Sequence, residues 1–552
     1  MREPLRSFLC ALLCSIAPLL NAQIEQVASF TAGSFGYVPR DLVVMGSHIY
    51  FRNWTAESGM ELWRTDGTTA GTVLVKDIRP GAGNGMEANE GMAVVGNTLY
   101  FPADDGTTGW ELWKSDGTEA GTMLVMDIRP GPLGSSPAYL TAFGDRLLFR
   151  ANNATSEALY STDGTPGGTY APVDFVTQQT ITVSGPIRPM GAVAVFPGTA
   201  LSEAGGEIWT TDGTPSGCFL LSDICPGIGW SNAAGRSWMA DDFLYFLADD
   251  CTHGIELWRT NGTAPTTTLV ADVYTGTNSA SPYHLVPLDG QVLFAALDDT
   301  GNGIYRSDGT AIGTYKLATM GVPQLWNGDR QPARRVGDIA LFVGLDPDHG
   351  YELWRSDGTE AGTYMVKDLW PGTNGSIAGA GFNFWVFGGQ LYFAPEVPVY
   401  STELWRSDGT EAGTVMVQDR APGINYFAPD HLVQFGDHIY MTGSLTASDR
   451  GIYRLELAGT GMAESATTAT LRVYPNPTNG NGCTLQLPNG IATQGPLRVE
   501  LLDATGRVVV QRTLQGAPTL QLELERALNP GVYAVRVHHA QGGLLTAQLV
   551  VQ

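Results

Sequence analysis

The sequence predicts an all-β chain in two parts, and three observations carry that prediction. Gly and Pro supply 69 and 32 of the 552 residues, an excess that calls for many turns between short strands. A segment with the pattern Glu-Leu-Trp-x-x-Asp-Gly-Thr returns along the first four-fifths of the chain, about every 49 residues, the length of a four-stranded blade. Apolar residues alternate or form short runs, and no stretch follows a 3.6-residue period. Together these predict a large β-propeller of about eight or nine four-stranded blades, then a small Ig-like β-sandwich.

Residues 1–22 read as an export signal. Arg2 and Arg6 precede the apolar run Phe8 to Leu20, which ends at Asn21-Ala22. A basic start, a short apolar stretch and a small residue at the cut define a secretory signal peptide, and the run is too short to span a bilayer. Cleavage is expected after Ala22. Leu9 and Leu13 precede Cys10 and Cys14, where a lipoprotein signal would want a small residue. No second apolar run approaches membrane-spanning length.

Residues 23–457 form the repeat region. Glu61 to Thr68 is the first copy. It returns as Glu111 to Thr118, Glu207 to Thr214, Glu256 to Thr263, Glu352 to Thr359 and Glu403 to Thr410. Weaker copies centre on Tyr160 and Tyr305, and a truncated one closes the series at Gly451 to Arg454. The second unit shows the element order. Met92 to Val95 is strand A, Gly96-Asn97 a turn, Thr98 to Phe101 strand B and Trp110 to Ser115 strand C. Asp116-Gly117-Thr118 is a hairpin turn, and Thr122 to Ile128 is strand D, stopped by Pro130-Gly131.

The repeated Trp admits a ligand-stacking role, but recurrence in every unit fits inter-blade packing more simply. The repeated Asp-Gly is most simply a turn. The ends fit a ring. Ile24 to Phe30 reads as a lone strand D, and the last unit has A, B and C but no D of its own. The N-terminal strand is therefore expected to complete the last blade and remove both sheet edges. Nine A-B-C sets are present, so one ring of nine, a distorted unit, or a split into two modules all stay open.

Residues 458–470 are small and polar, a linker. Residues 471–552 hold six arginines against four acids in a chain of net charge −24, so the acid excess belongs to the repeat region. About seven short alternating runs predict the sandwich. Three motifs here carry a resemblance. Tyr474-Pro475-Asn476-Pro477 with Gly480 comes first, then Asp503-Ala504-Thr505-Gly506-Arg507, then Gly531-Val532-Tyr533. In that order they resemble the type A C-terminal sorting domain of type IX secretion substrates, proteins of the Bacteroidota. The resemblance implies the type IX secretion machinery as partner and passage through the periplasm to the outer cell surface or medium. The repeat itself resembles the Glu-Leu-Trp-x-x-Asp-Gly-Thr (hyalin-like) repeats of large secreted bacterial proteins, which imply no established activity.

Composition excludes several functions. The acidic balance argues against nucleic acid as a partner. The four lysines, Lys76, Lys114, Lys316 and Lys367, never follow glycine, so no phosphate-cradling Gly-Lys loop exists. His-Glu-x-x-His, Gly-x-Ser-x-Gly and Cys-x-x-Cys are absent, and no catalytic residue or cofactor is expected. If strands alternate in direction, A–B and C–D turns share one face, and B–C and D–A loops share the other. The B–C loops carry Asp104-Asp105, Asp249-Asp250, Asp298-Asp299, and Asp346 with Asp348. These carboxylates suit a Ca²⁺ site, which wants six to eight oxygens, or are solvated turns.

Four cysteines remain after the signal: Cys218, Cys225, Cys251 and Cys483. Cys218 and Cys225 bracket one strand D and stand roughly 23 Å apart, beyond bridging distance. Cys225 begins a D–A loop and Cys251 sits in the next B–C loop, on the same face. A Cys225–Cys251 bridge is therefore expected, with Cys218 buried. Three functions stay in view: a secreted or surface-attached binding module for a glycan or protein ligand, a structural or adhesive surface protein, and an enzyme acting on extracellular polymers. The last requires a carboxylate pair about 5–10 Å apart in a cleft.

Overall fold

The computed structural model describes residues 23–457 apart from 32–38, 87–90, 201–204, 228–230, 232–236, 323–332, 378–382, 399, 423–426 and 447–448. From residue 458 on, it describes seven strands plus Leu487 and Leu528. The chain divides into two compact units, Met1–Ala458 and Gly459–Gln552. The signal segment, the linker and sorting-motif residues Pro475, Asn476, Pro477, Gly480 and Gly506 lie outside the described residues.

Among the described residues the first unit is a ring of nine antiparallel sheets, with a further two-stranded ribbon, Glu396–Val397 against Ser401–Thr402, inserted in the eighth. Blade one shows the plan: strand A Arg40–Met45, B His48–Thr55, C Gly59–Thr65 and D Val73–Lys76, hydrogen-bonded in that order. In every blade a strand-B residue stands directly across from the strand-C aromatic. The pairs are Phe51 with Trp63, Phe101 with Trp113, Phe149 with Tyr160, Phe196 with Trp209 and Phe246 with Trp258. Phe294 with Tyr305, Phe342 with Trp354, Phe393 with Trp405 and Met441 with Tyr453 complete the set. Directly opposed pairs of this kind are the packing unit of a sheet. Here they fill the space between one blade and the next, which is where the recurring Trp lies.

Blades meet through buried apolar clusters, and the clusters count the ring. Leu62 and Val75 of blade one pack with Leu99 and Phe101 of blade two. Like clusters join each later pair. A ninth joins Tyr440 and Ile452 of the last blade to Ile49 and Phe51 of the first. Nine blades with nine interfaces form a closed ring, since an open arc would have eight. The closing blade takes strand D from the N-terminus: Ile24–Thr31 pairs with Asp449–Glu456.

Two units are irregular. Blade three has only three strands, Ala138–Phe143, Arg146–Asn152 and Glu157–Thr162, and its outer position is reduced to a single bridge, Ser161 to Tyr170. The chain then crosses to blade four, where Val173 and Phe175 bond the backbone of Cys218. Blade four gains a fifth strand, Ile181–Val183, on Val193–Ala200.

The repeated polar residues also work between segments. The basic residue after the aromatic donates to the turn glycine of the next blade: Arg64 to Gly117 O, Lys114 to Gly164 O, Arg306 to Gly358 O and Arg355 to Gly409 O. Arg454 to Gly67 O carries the same bond across the closure. The motif glutamate is buried and holds the D–A loop. Glu352 Oε1 and Oε2 accept from Leu369 N, Trp370 N, Ser376 N and Ser376 Oγ at 3.2, 3.1, 2.8 and 2.5 Å. Glu61 accepts from Ile78, Arg79 and Gly85 in the same way.

The described residues of the second unit form seven strands in two sheets. One holds Arg472–Tyr474, Gly482–Gln486 and Thr519–Glu523. The other holds Pro496–Leu502, Val508–Gln515, Gly531–His538 and Leu544–Val551. A single buried cluster with Leu485, Val499, Leu522, Val535 and Leu549 lies between them, the layering of a β-sandwich.

Candidate ligand-binding site

The innermost strands of five successive blades build a cavity of about 450 Å³ in the wall of the ring's central channel. Blade four supplies Arg188, blade five Ser237, Trp238 and Met239, blade six Leu285 to Pro287. Blade seven adds Ala333, Arg334 and Arg335, and blade eight Val386. Strand A can present such residues because it is the ring's inner edge and carries no partner blade on that side.

Among the described residues that line it, three are arginine and none is acidic, and Arg335 is ion-paired with Asp289 just outside it. Arg188 Nε donates to Ser237 Oγ at 3.0 Å, across the junction of blades four and five. Arg335 reaches the A–B turns, donating to Gly337 O at 2.7 Å and Asp289 Oδ1 at 2.6 Å. Arg334 Nη1 donates to Ala333 O, and burial draws its guanidinium down to about 10. Trp238 is partly buried and Met239 is 39% exposed. The cavity thus sets three arginines, one of them ion-paired, beside apolar side chains that are mostly part of the packing between blades.

The B–C loop acids do something else. Asp104 Oδ1 accepts from Gly106 N and its Oδ2 pairs with Arg79. Asp105 accepts from Thr107 and Thr108. Asp249 accepts from Cys251 N, and Asp250 from Thr252 N and His253 Nδ1. Asp298 holds Tyr305 Oη and Lys316 Nζ at 2.5 and 2.6 Å. Asp346 accepts from Asp348 N and His349 Nδ1. Asp299 adds no third ligand beside Asp298: among the described residues, no group of three or more His, Cys, Asp or Glu gathers to hold a metal. A short Asp side chain in a tight loop reaches backbone N–H groups two and three residues on, so Asp104, Asp105, Asp249, Asp250, Asp298 and Asp346 close on their own loops, while Asp299 and Asp348 are exposed.

Cys225 and Cys251 form a disulfide with Cα atoms 5.4 Å apart, tying blade four's D–A loop to blade five's B–C loop. Cys218 and Cys483 are buried thiols, pushed up to about 12 and about 11 by burial.

Arg188, Trp238, Arg334 and Arg335 were not legible as a site from the sequence. A signal existed: Arg334-Arg335 breaks the apolar pattern of strand A. Without the ring, nothing shows that segments about 50 residues apart share one wall.

Residues 472–552 match the family described as Secretion system C-terminal sorting domain. A sorting domain of this kind supports export by the type IX secretion system to the cell surface or the medium. No helix among the described residues is long and apolar enough to cross a membrane. No curated protein matches the chain. Solved structures similar to it include a puromycin hydrolase, 13% identical over 65% of this chain and 58% of that one, TM-score 0.31. Others are a prolyl endopeptidase, 12% identical over 74% and 55%, TM-score 0.34, and prolyl oligopeptidase B from Galerina marginata, 9% identical over 73% and 55%, TM-score 0.32. The chain thus covers little more than half the length of those proteins, and none of these likenesses bears on activity.

Proposed function

We propose that the propeller is a binding module for an extracellular glycan or protein ligand, carried to the cell surface or medium by the sorting domain. The observation that carries this reading is the channel-wall cavity, with three arginines, one of them ion-paired, beside apolar side chains contributed by five blades. A concave, largely apolar site with a few convergent polar groups is the usual form of a ligand pocket. The mature protein, applied to an array of glycans and surface proteins, should retain a defined subset. A flat array would instead favour a structural or adhesive role.

A further inference from the structure

We infer that the ring works as three rigid modules of three blades, one to three, four to six and seven to nine, which open against one another at three seams. The motif itself has this longer period. Its glutamate and tryptophan occur together in blades one, two, four, five, seven and eight. Blades three, six and nine carry Ala158 with Tyr160, Gly303 with Tyr305 and Gly451 with Tyr453 in those positions. Strand D closes over the two glycines: a Cβ on Gly303 would lie 2.6 Å from Ala318 O, and one on Gly451 2.5 Å from Ala28 O. Strand A of the same three blades enters through two left-handed residues, Ser136 and Tyr139, Ser281 and His284, Ala428 and His431, a strained conformation outside glycine. Asp41 of blade one shares the second of these positions.

The glutamate joins the blades within a module. Glu61 accepts from Gly85 N at 2.9 Å, and Gly85 O accepts in turn from Asp104 N of blade two at 2.9 Å. Glu256 and Glu352 make the same relay through Ala280 and Ser376, to Leu297 N of blade six and Glu396 N of blade eight. Glu111 makes it through the Ser135 hydroxyl, to Asn152 N of blade three. Buried hydrogen bonds in series strengthen and fix one another. Glu403 holds Arg420 N and Ala421 N of the loop to blade nine, and the Cys225–Cys251 bridge ties blades four and five covalently. At the junction of blades six and seven the inter-blade bond remains, Leu345 N to Gly321 O at 2.6 Å, but Gly303 puts no carboxylate behind it. In a repeat array the interface between neighbours decides where the array opens, so the ring yields at the junctions that lack the relay. The channel-wall cavity takes lining residues from blades on both sides of the seam between blades six and seven, so movement there changes its width.

The test is hydrogen exchange on the full mature protein, read residue by residue by mass spectrometry in native buffer and low denaturant, and corrected for intrinsic rates. The Leu345 N–H, at a seam, should exchange at least ~10-fold faster than the matched N–H groups of Asp104, Asn152, Leu297 and Glu396 inside modules, the scale of one buried hydrogen bond. In Glu352→Gln the Glu396 N–H should rise to the Leu345 level, while Asp104 and Asn152 in the first module stay as they were. Glu61→Gln, read at Asp104, repeats the measurement in another module. Equal protection of Leu345 and the four matched groups overturns the inference. So does a rise that spreads evenly around the ring after either substitution, or no rise at all. The wild-type comparison needs no variant, so it decides the matter even where a substitution prevents folding.

Discussion

Glu352 shows at the scale of one residue how this repeat works. It is fully buried and its carboxylate takes four hydrogen bonds from the loop that leads to the next blade. Removing it leaves three backbone N–H groups without an acceptor, and each buried orphan costs about 1–3 kcal/mol. Glu352→Ala should therefore lower stability by about 3 kcal/mol or more, and Glu352→Gln by less, read from urea midpoints. Burial has a second consequence. It pushes the carboxyls of Glu61, Glu256 and Glu403 up to about 7, against the pull of their backbone N–H partners. A folded carboxyl with a raised pKa binds protons that the unfolded chain has released. Its stabilising effect is complete below about 4.5 and is lost as pH rises through about 7. His253 and His349, raised by donating hydrogen bonds to Asp250 and Asp346, act in the same direction: their contribution is present below about 6.5 and lost above their folded values. The turn aspartates Asp66, Asp116 and Asp308, lowered by their Thr partners, matter only at more acid pH. Melting temperature should fall between about pH 5.5 and about pH 8; a rise across that range would contradict the buried-carboxyl account.

The turn glycine is a residue whose role the sequence half disclosed. Gly117 has φ +91°, and a Cβ there would strike the Tyr50 hydroxyl of the preceding blade. The Asp-Gly signal reads as a turn from sequence, and it is one. That the same glycine also admits a neighbouring blade depends on ring packing, which no local pattern encodes.

At the scale of elements, closure and the disulfide are the parts open to direct test. Strand Ile24–Thr31 pairs along the whole of Asp449–Leu455, and Thr69 Oγ1 bonds Val27 O across to blade one. Deleting residues 23–31 from the mature chain exposes both the last blade's edge and the ninth cluster. Its melting temperature should drop by several degrees, measured by calorimetry; no change would mean that the strand is ornamental. The Cys225–Cys251 bridge closes a sequence separation of 26. In the chain-entropy model such a loop contributes roughly 3 kcal/mol. The Cys225→Ser, Cys251→Ser double variant should unfold at correspondingly lower denaturant, and peptide mapping without reduction should recover the wild-type pair as one linked species.

At the scale of the whole molecule, the two compact units imply separable duties. The sandwich has its own buried cluster, drawn from its own residues alone. Deleting residues 471–552 should leave the propeller's melting transition in place while holding the protein in the periplasm. Normal yield of the truncated chain in the medium would contradict the sorting role of the tail.

Sequence alone determined the all-β class, the repeat unit, the strand-D role of the N-terminus and the exported character. These rest on information that is local or periodic: turn residues, alternation, a recurring motif and a terminal signature. The blade count was bounded but not closed, because two weak units resembled both distorted blades and a break between modules. Only the tertiary structure decided that nine interfaces exist, that the motif glutamate clamps a loop 17 to 24 residues ahead, and that six of the loop acids close on their own loops. It alone brought arginines from blades four and seven to one cavity. The physical reason is that a ring converts residues separated by whole blades of sequence into neighbours across a channel, and no local rule carries that distance.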